Sequence, residues 1–450
     1  MKNLFDLIVI GSGSAGRGAA AKCKKEGWNV GIIDARPFGG TCALRGCDPK
    51  KILVGAAELM DWNKRMKGKG VDTEGGINWP ELIAFKRTFT NNFSENAEKS
   101  LKKNGIAIFH GHAKFVGENK IQVGDQILEA KYILIATGAM PMPLTFQGTE
   151  HMIDSEAFLE LEQLPKKIIF AGGGFIAFEF AHIAARAGAE VHIIEMQERP
   201  LANFDQDLVN MLVKKSKDIG IHIHTKTSVN RIEKVEAGFV VHCLQEKKEF
   251  QIEGGMVIHG AGRVANIVGM ELEAGNIEYT KKGVTVNDYM QSVSNPSVYS
   301  AGDAAASAGL PLTPIASLGG KIAAMNMIKG NYVKPDFKVM PTVVFTVPKI
   351  GSVGLTEAQA KEKGHLYEIV NVDMSDWYTY TRTNDSYAMG KVIVDKKSDL
   401  ILGAHIMGSQ ADDLINHFAT AIRFNLPAKE IKHMLYAYPS ATSDVAYLLP

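Results

Sequence analysis

Two cysteines, Cys42 and Cys47, are separated by four residues in the segment FGGTCALRGCDPKKIL. Thiols this close can cycle between dithiol and disulfide, supply half of a zinc site, or be incidental neighbours in a core. A structural zinc site wants four ligands in paired short spacings, whereas Cys23 and Cys243 are isolated and the 13 histidines show no matching cluster. Pro49 can begin or bend a helix, which sets Cys47 near a helix N-terminus. There the dipole, with Lys50 or Lys51, stabilises a thiolate, the reactive form of the side chain. Directly after Gly39 and Gly40, the two thiols read as a redox-active pair.

A redox pair needs a carrier to charge it, and two matched segments suit dinucleotides. The first runs GSGSAGRGAAAKCKKEGWNVGIID from Gly11 to Asp34; the second runs GGGFIAFEFAHIAARAGAEVHIIE from Gly172 to Glu195. Both carry glycine at their first and third positions (Gly11 and Gly13, Gly172 and Gly174). Both have a small residue at the sixth (Gly16, Ala177) and end on a carboxylate after Ile-Ile. Each follows an apolar run, so each reads as strand, tight turn, helix and second strand. The first glycine permits the turn, the second lets a pyrophosphate reach backbone N–H groups at the helix N-terminus, and the closing acid faces a ribose. At the second site Glu195 would repel a 2′-phosphate, and only Arg199 follows in MQERPLAN, so NAD(H) is expected there in preference to NADP(H).

The elements that position these residues form a large α/β chain. At 450 residues the sequence is long enough for about three domains. Its 46% hydrophobic content and balance of 50 Lys+Arg against 49 Asp+Glu argue against disorder and against a nucleic-acid partner, which needs clustered cations. Four cysteines exclude a disulfide-stapled secreted scaffold. The start reads as a buried strand rather than a leader, and no apolar run reaches the ~18 residues of a membrane span. A cytoplasmic protein without a membrane span is expected.

Taken together, the motifs resemble the class I pyridine nucleotide-disulfide oxidoreductases, which include glutathione reductase, dihydrolipoamide dehydrogenase and mercuric reductase. The likeness extends from GSGSAG and GGTCALRGC through the ATG of Ala136, Thr137 and Gly138, GGGFIAFE and AGRVAN (Ala261 to Asn266). It continues through VYSAGDAA, LTPIASLGG, PTVVFTVPKIGSVGLTE and LILGAHIMG. The resemblance implies two Rossmann-like domains, for FAD and NAD, and a C-terminal α+β dimerisation domain. It divides the chain at about 1–148 (FAD, first part), 149–265 (NAD), 266–335 (FAD, second part) and 336–450 (interface). By the same resemblance Gly11, Gly13, Gly16 and Asp34, with Thr41, Thr137 and Gly138, bind FAD, and Asp303 anchors its ribityl chain. Gly172, Gly174, Glu195 and Gly262 bind NAD, and Phe175 stands where a tyrosine often covers the flavin. Lys50 and Glu179 match an ion pair near flavin N5. Cys47 would face the flavin and Cys42 would meet the acceptor. A homodimer is implied, each C-terminal loop completing the partner's active site.

One departure bears on the acceptor. Disulfide-reducing relatives end near H-P-T-x-x-E, whereas this chain has YPSATSD. Tyr438 takes the histidine position and Ser443 the glutamate position, with Asp444 one further on. A phenol near pKa 10 is a far weaker base at pH 7 than an imidazole near 6.5, and positioned general-base catalysis contributes roughly 10²–10⁴-fold. Three consequences are open: Tyr438 orients an acceptor that needs no thiol deprotonation, His433 or Asp444 substitutes as base, or disulfide turnover is lost. Mercuric reductases also lack the histidine, but they carry a C-terminal cysteine pair, and here no cysteine follows Cys243. Glutathione is disfavoured by Ala19, Ala20 and Ala21, where glutathione reductases tend to place an arginine. The expected acceptor is therefore a small molecule: a disulfide, a quinone, a metal ion or oxygen. The alternative is a flavin-bearing redox sensor or partner-binding protein with vestigial activity. No residue is expected to hold a resident metal. The aromatic stretch from Trp377 through Tyr378 and Tyr380 to Arg382 is expected to be packing, and His110, His112, His405 and His417 structural.

Overall fold

The apolar run before the first glycine turn forms the strand Leu4–Ile10, with Leu7, Ile8 and Val9 wholly buried. A computed structural model describes residues 4–72 and 75–450, and in it the chain forms two units. The first comprises the chain up to Lys50 with Phe85–Met142 and Arg263–Phe337. Its sheet runs in the order Ala107–His110, Val30–Asp34, Leu4–Ile10, Gln126–Ile135, Lys120–Val123, Ala113–Gly117, and Val298–Ser300 also pairs with Gln126–Ile135. Strands Leu4–Ile10 and Val30–Asp34 are parallel with Leu7 opposite Val30. That arrangement requires a crossover, supplied by the helix Ser14–Lys25. This helix packs on Thr313–Lys329, where a Cβ at Gly320 would strike the Ala15 carbonyl oxygen.

The second unit comprises Lys51–Ala84, Pro143–Gly262 and Lys338–Pro450. It repeats the parallel pattern in the order Ile221–His224, Glu190–Ile194, Lys167–Ala171, Met256–His259. The helix Phe175–Arg186 is apolar almost all round and buried from Ala177 to Ala184, as expected of an element covered on both sides. A three-stranded antiparallel sheet (Thr227–Val235, Gly238–Gln245, Lys248–Gly254) and a five-stranded antiparallel sheet over 342–408 complete the unit. Against the five-stranded sheet the helix Ala411–Phe424 buries Leu414, Ile415 and Phe418. Tyr380 is wholly buried in that core, whereas Tyr378 is exposed. Ser352 and His405 pair at 2.6 Å within the same five-stranded sheet.

Residues 51–84, which the sequence places in the first segment, pack with the second unit for two reasons. Leu53, Val54 and Ala57 share a core with Phe178 and Ile183. Asp61 also receives Arg186 at 2.6 Å, Arg65 at 2.8 Å and Lys215 at 3.3 Å. Burial would raise the Asp61 carboxyl, but the three cations overcome it and hold it at about 2. Its folded value lies below its unfolded one, so its stabilisation is present above about pH 4 and is lost as pH falls towards 2. Asp61→Asn leaves buried cations uncompensated and is expected to cost about 3 kcal/mol, read as a lower denaturant midpoint at unchanged m-value.

Candidate active site

The strand Leu4–Ile10 delivers the chain to Gly11, whose φ of +105° suits glycine. A Cβ there would collide with the Ala136 carbonyl oxygen, and one at Gly16 with that of Gly11. The turn is thereby clamped between its own helix and the Ala136–Gly138 segment. Asp34, at the end of the next strand, accepts from Ser12 N at 2.8 Å, Ser12 Oγ at 2.6 Å and Arg36 N at 2.9 Å. The second repeat reproduces this network in its own unit. There Glu195 accepts from Gly173 N and Gln197 N, both at 2.6 Å, and a Cβ at Gly172 would collide with Gly260. Each closing acid therefore holds its glycine turn in shape, a role the motif alone did not assign.

Gly40 lies so close to Gly13 that a Cβ on it would reach the Gly13 Cα at 2.5 Å. This contact brings the cysteine segment onto the first turn. Cys42 sits in the short helix Gly40–Arg45, and Cys47 opens the helix Cys47–Met66. All four cysteines are unbonded; Cys47 is exposed and Cys42 half-buried. Cys42 and Cys47 share a hydrogen bond that drives them apart electrostatically. It pushes Cys42 well up, with burial adding to the rise, and pulls Cys47 down to about 6, helped by Thr313 and Lys50 against burial. Thr313 Oγ1 lies 3.5 Å from Cys47 Sγ, and Cys42 Sγ lies 4.0 Å from Asp48 Oδ1. Of the two lysines offered by the sequence, Lys50 acts on Cys47. Lys51 belongs to the second unit, 3.5 Å from Asp412 and 4.0 Å over the Phe345 ring. Alkylation of Cys47 in the reduced protein is expected to rise with pH to a midpoint near 6, as read by mass spectrometry of its peptide. A midpoint near that of a free thiol, about 8.5, would contradict this.

Two residues beside the cysteines escaped the sequence reading. Thr313 begins a helix whose motif was noted without a role for the hydroxyl. Arg17 is the one charged residue in the first two turns of Ser14–Lys25. Its guanidinium lies 5.3 Å over Phe93 with Nη2 3.5 Å from the Gly39 carbonyl oxygen, its Nε is buried without a partner, and it is electrostatically coupled to Cys42. That isolated charge was the available signal.

The same unit holds the remaining residues expected at FAD. Thr41 is exposed beside Cys42. Arg263 Nη2 donates to the Ala139 carbonyl at 2.5 Å and Asn266 N to the Gly138 carbonyl at 2.9 Å, tying AGRVAN to the ATG segment. Asp303 is half-buried; burial raises its carboxyl and Arg263 opposes the rise. These residues fit a flavin dinucleotide. Gly13 caps its helix without a side chain, leaving first-turn N–H groups to an incoming acceptor, and Thr137 Oγ1 is buried without a partner.

In the second unit Gly174 begins the helix Phe175–Arg186 and Phe175 is 46% exposed. Glu179 is buried and accepts from Phe345 N at 2.7 Å, and Gly262 has a φ of +106°. Arg199 is engaged by Gln206 at 3.3 Å and the Ala202 carbonyl at 2.8 Å. Tyr438 is 82% exposed. Ser443 exchanges hydrogen bonds with Ser440 in a capping box, so its hydroxyl serves its own helix start. His433 is exposed, while Asp444 has one buried oxygen without a partner and a carboxyl raised by burial.

Residues 5–320 match the family model "Pyridine nucleotide-disulphide oxidoreductase", and residues 340–448 match its dimerisation domain, which supports a homodimer. Glutathione reductase of Schizosaccharomyces pombe is 29% identical over 100% of this chain and 99% of its own. Dihydrolipoyl dehydrogenase of Staphylococcus aureus is 31% identical over 97% and 94%. An uncharacterized 19.7 kDa protein in a mercuric resistance operon of Staphylococcus aureus is 54% identical over 180 residues, 40% of this chain and 100% of its own. No helix among the described residues is long and apolar enough to cross a membrane. The family uses FAD and NAD(P)H, and this chain belongs to it: it is a flavoprotein of the pyridine nucleotide-disulphide oxidoreductases.

Proposed function

We propose that this protein takes electrons from NADH and passes them, through the Cys42–Cys47 disulfide, to a small acceptor in the cytoplasm. In this proposal residues 1–148 and 266–335 bind FAD, 149–265 bind NAD and 336–450 form the dimer, each C-terminal loop completing the partner's site. Bound FAD supplies hydride acceptance from the nicotinamide and delivery of the electron pair. The observation that carries the proposal is the asymmetry of the cysteines. Two electrons and one proton convert the disulfide into a thiol and a thiolate; the low Cys47 value and the raised Cys42 value put the charge on Cys47 and the proton on Cys42. Lys50 and Thr313 steady the charge, leaving Cys42 to meet the acceptor.

The same asymmetry sets a condition on that acceptor. A raised Cys42 thiol must lose its proton to attack a disulfide, and Tyr438 is a weak base for the task. A soft metal ion displaces the thiol proton as it binds, and a quinone needs both the proton and the electrons. These two classes are favoured over disulfides, and the relative from a mercuric resistance operon makes metal ions worth including. The decisive experiment is anaerobic reduction with NADH followed by stopped-flow reoxidation with disulfides, quinones, metal ions and oxygen. Failure to reoxidise with every acceptor would favour the second proposal, a redox sensor or partner-binding protein, which the absence of an imidazole at Tyr438 supports.

NADH preference rests on Glu195 and on the engagement of Arg199 by its neighbours, which leaves a 2′-phosphate facing a carboxylate. NADH is expected to reduce the protein with at least about 10-fold higher second-order rate than NADPH, a gap of roughly 1.4 kcal/mol. Equal rates in single-turnover reduction would overturn the preference.

A further inference from the structure

The edge of the second parallel sheet carries a group of side chains that nothing in the flavin chemistry uses. Glu190 and His192 alternate along the strand Glu190–Ile194 and therefore share one face, as do His222 and His224 on Ile221–His224. The strands are parallel with His222 directly opposite His192, and their rings stack at 4.6 Å and 20°. One ligand atom from each of Glu190, His192 and His222 falls within 4.8 Å of the others. His192 Nε2 lies 2.9 Å from Glu190 Oε1, and His192 Nδ1 lies 3.1 Å from His224 Nε2.

We propose that Glu190, His192 and His222 form a binding site for one divalent first-row transition-metal ion such as Zn²⁺, distinct from the flavin and cysteine site. Two imidazoles and a carboxylate with open positions are a known donor set for such ions. His192 is buried and fixed, whereas Glu190 and His222 are exposed. Closing the donors to the roughly 3.4 Å spacing that ~2.1 Å bonds impose on a tetrahedral ion needs movement of the exposed ends only. With His192 Nε2 on the metal, its Nδ1–H donates to His224 Nε2, which fixes the tautomer as metal-bound histidines require. Lys167 opposes binding through its ion pair with Glu190 at 2.9 Å, but that lysine is partly exposed and can swing to solvent.

The test uses the FAD-loaded protein with Cys42→Ser and Cys47→Ser, so that the redox thiols bind no metal. Zn²⁺ alone is titrated in competition with a chromophoric chelator at pH 7. One equivalent is expected to bind at micromolar metal, with His222→Ala or Glu190→Gln weakening binding by about 10-fold or more and His224→Gln by about 10-fold. Both His222 and Glu190 are exposed, so these variants keep the fold, checked by FAD content and circular dichroism. Absence of stoichiometric binding overturns the site, and so do His222→Ala and Glu190→Gln that both bind as tightly as the parent.

Discussion

Replacing Cys47 with serine is expected to reduce NADH-driven turnover with every acceptor to background. The loss should be on the order of 10⁴-fold or more, the scale seen when a single obligatory nucleophile is removed. A serine hydroxyl neither ionises near pH 6 nor forms a disulfide with Cys42, so the electron pair has no sulfur to enter. Cys42→Ala should fail equally in turnover but differ in reactivity. It removes the thiol that donates to Cys47, so the alkylation midpoint of Cys47 should climb from about 6. The contrast separates electron transfer from thiolate stabilisation. Retention of full turnover by Cys47→Ser with any acceptor would show that this acceptor takes electrons without the cysteine pair, and the proposed route would then be wrong for it.

Gly16→Val is expected to abolish FAD retention and to cost more than about 4 kcal/mol, the range reserved for strained or overpacked sites. A side chain there drives into the carbonyl oxygen of Gly11, which belongs to the turn itself, and into Val9 of the strand below. Relief would pull helix Ser14–Lys25 off the sheet together with the N–H groups expected at the pyrophosphate. Gly18→Ala is the control. Nothing lies within 4 Å of a Cβ at Gly18, and alanine in a helix interior should gain up to about 1 kcal/mol. The comparison is made by the ratio of FAD to protein and by the denaturant midpoint. If Gly16→Val retained FAD with native stability, the close packing of turn and helix would not be what holds this site together.

Both glycine turns and the cysteine pair were legible in the sequence because their constraints are local. A tight turn, a helix start and two thiols four residues apart are set by backbone sterics and short spacings, and composition excluded the competing classes. Other features depend on distance through space. Thr313 reaches Cys47 across 266 positions, and Arg17 meets the cysteine segment through Gly39. Lys50 and Lys51 are adjacent in the chain, yet helical rotation sends one to a thiolate and the other to Asp412.

What the sequence by itself determined is the family, the two dinucleotide turns with their closing acids, and two thiols four residues apart just after the first turn. Only the tertiary structure decided that Asp34 and Glu195 also brace their own turns and that residues 51–84 pack with the second unit through Asp61. It alone shifts the Cys42 thiol up and the Cys47 thiol down through their shared hydrogen bond. The histidines at 192, 222 and 224 looked dispersed for the same reason. Their meeting depends on strand register, which brings together residues 30 positions apart that no local spacing reveals.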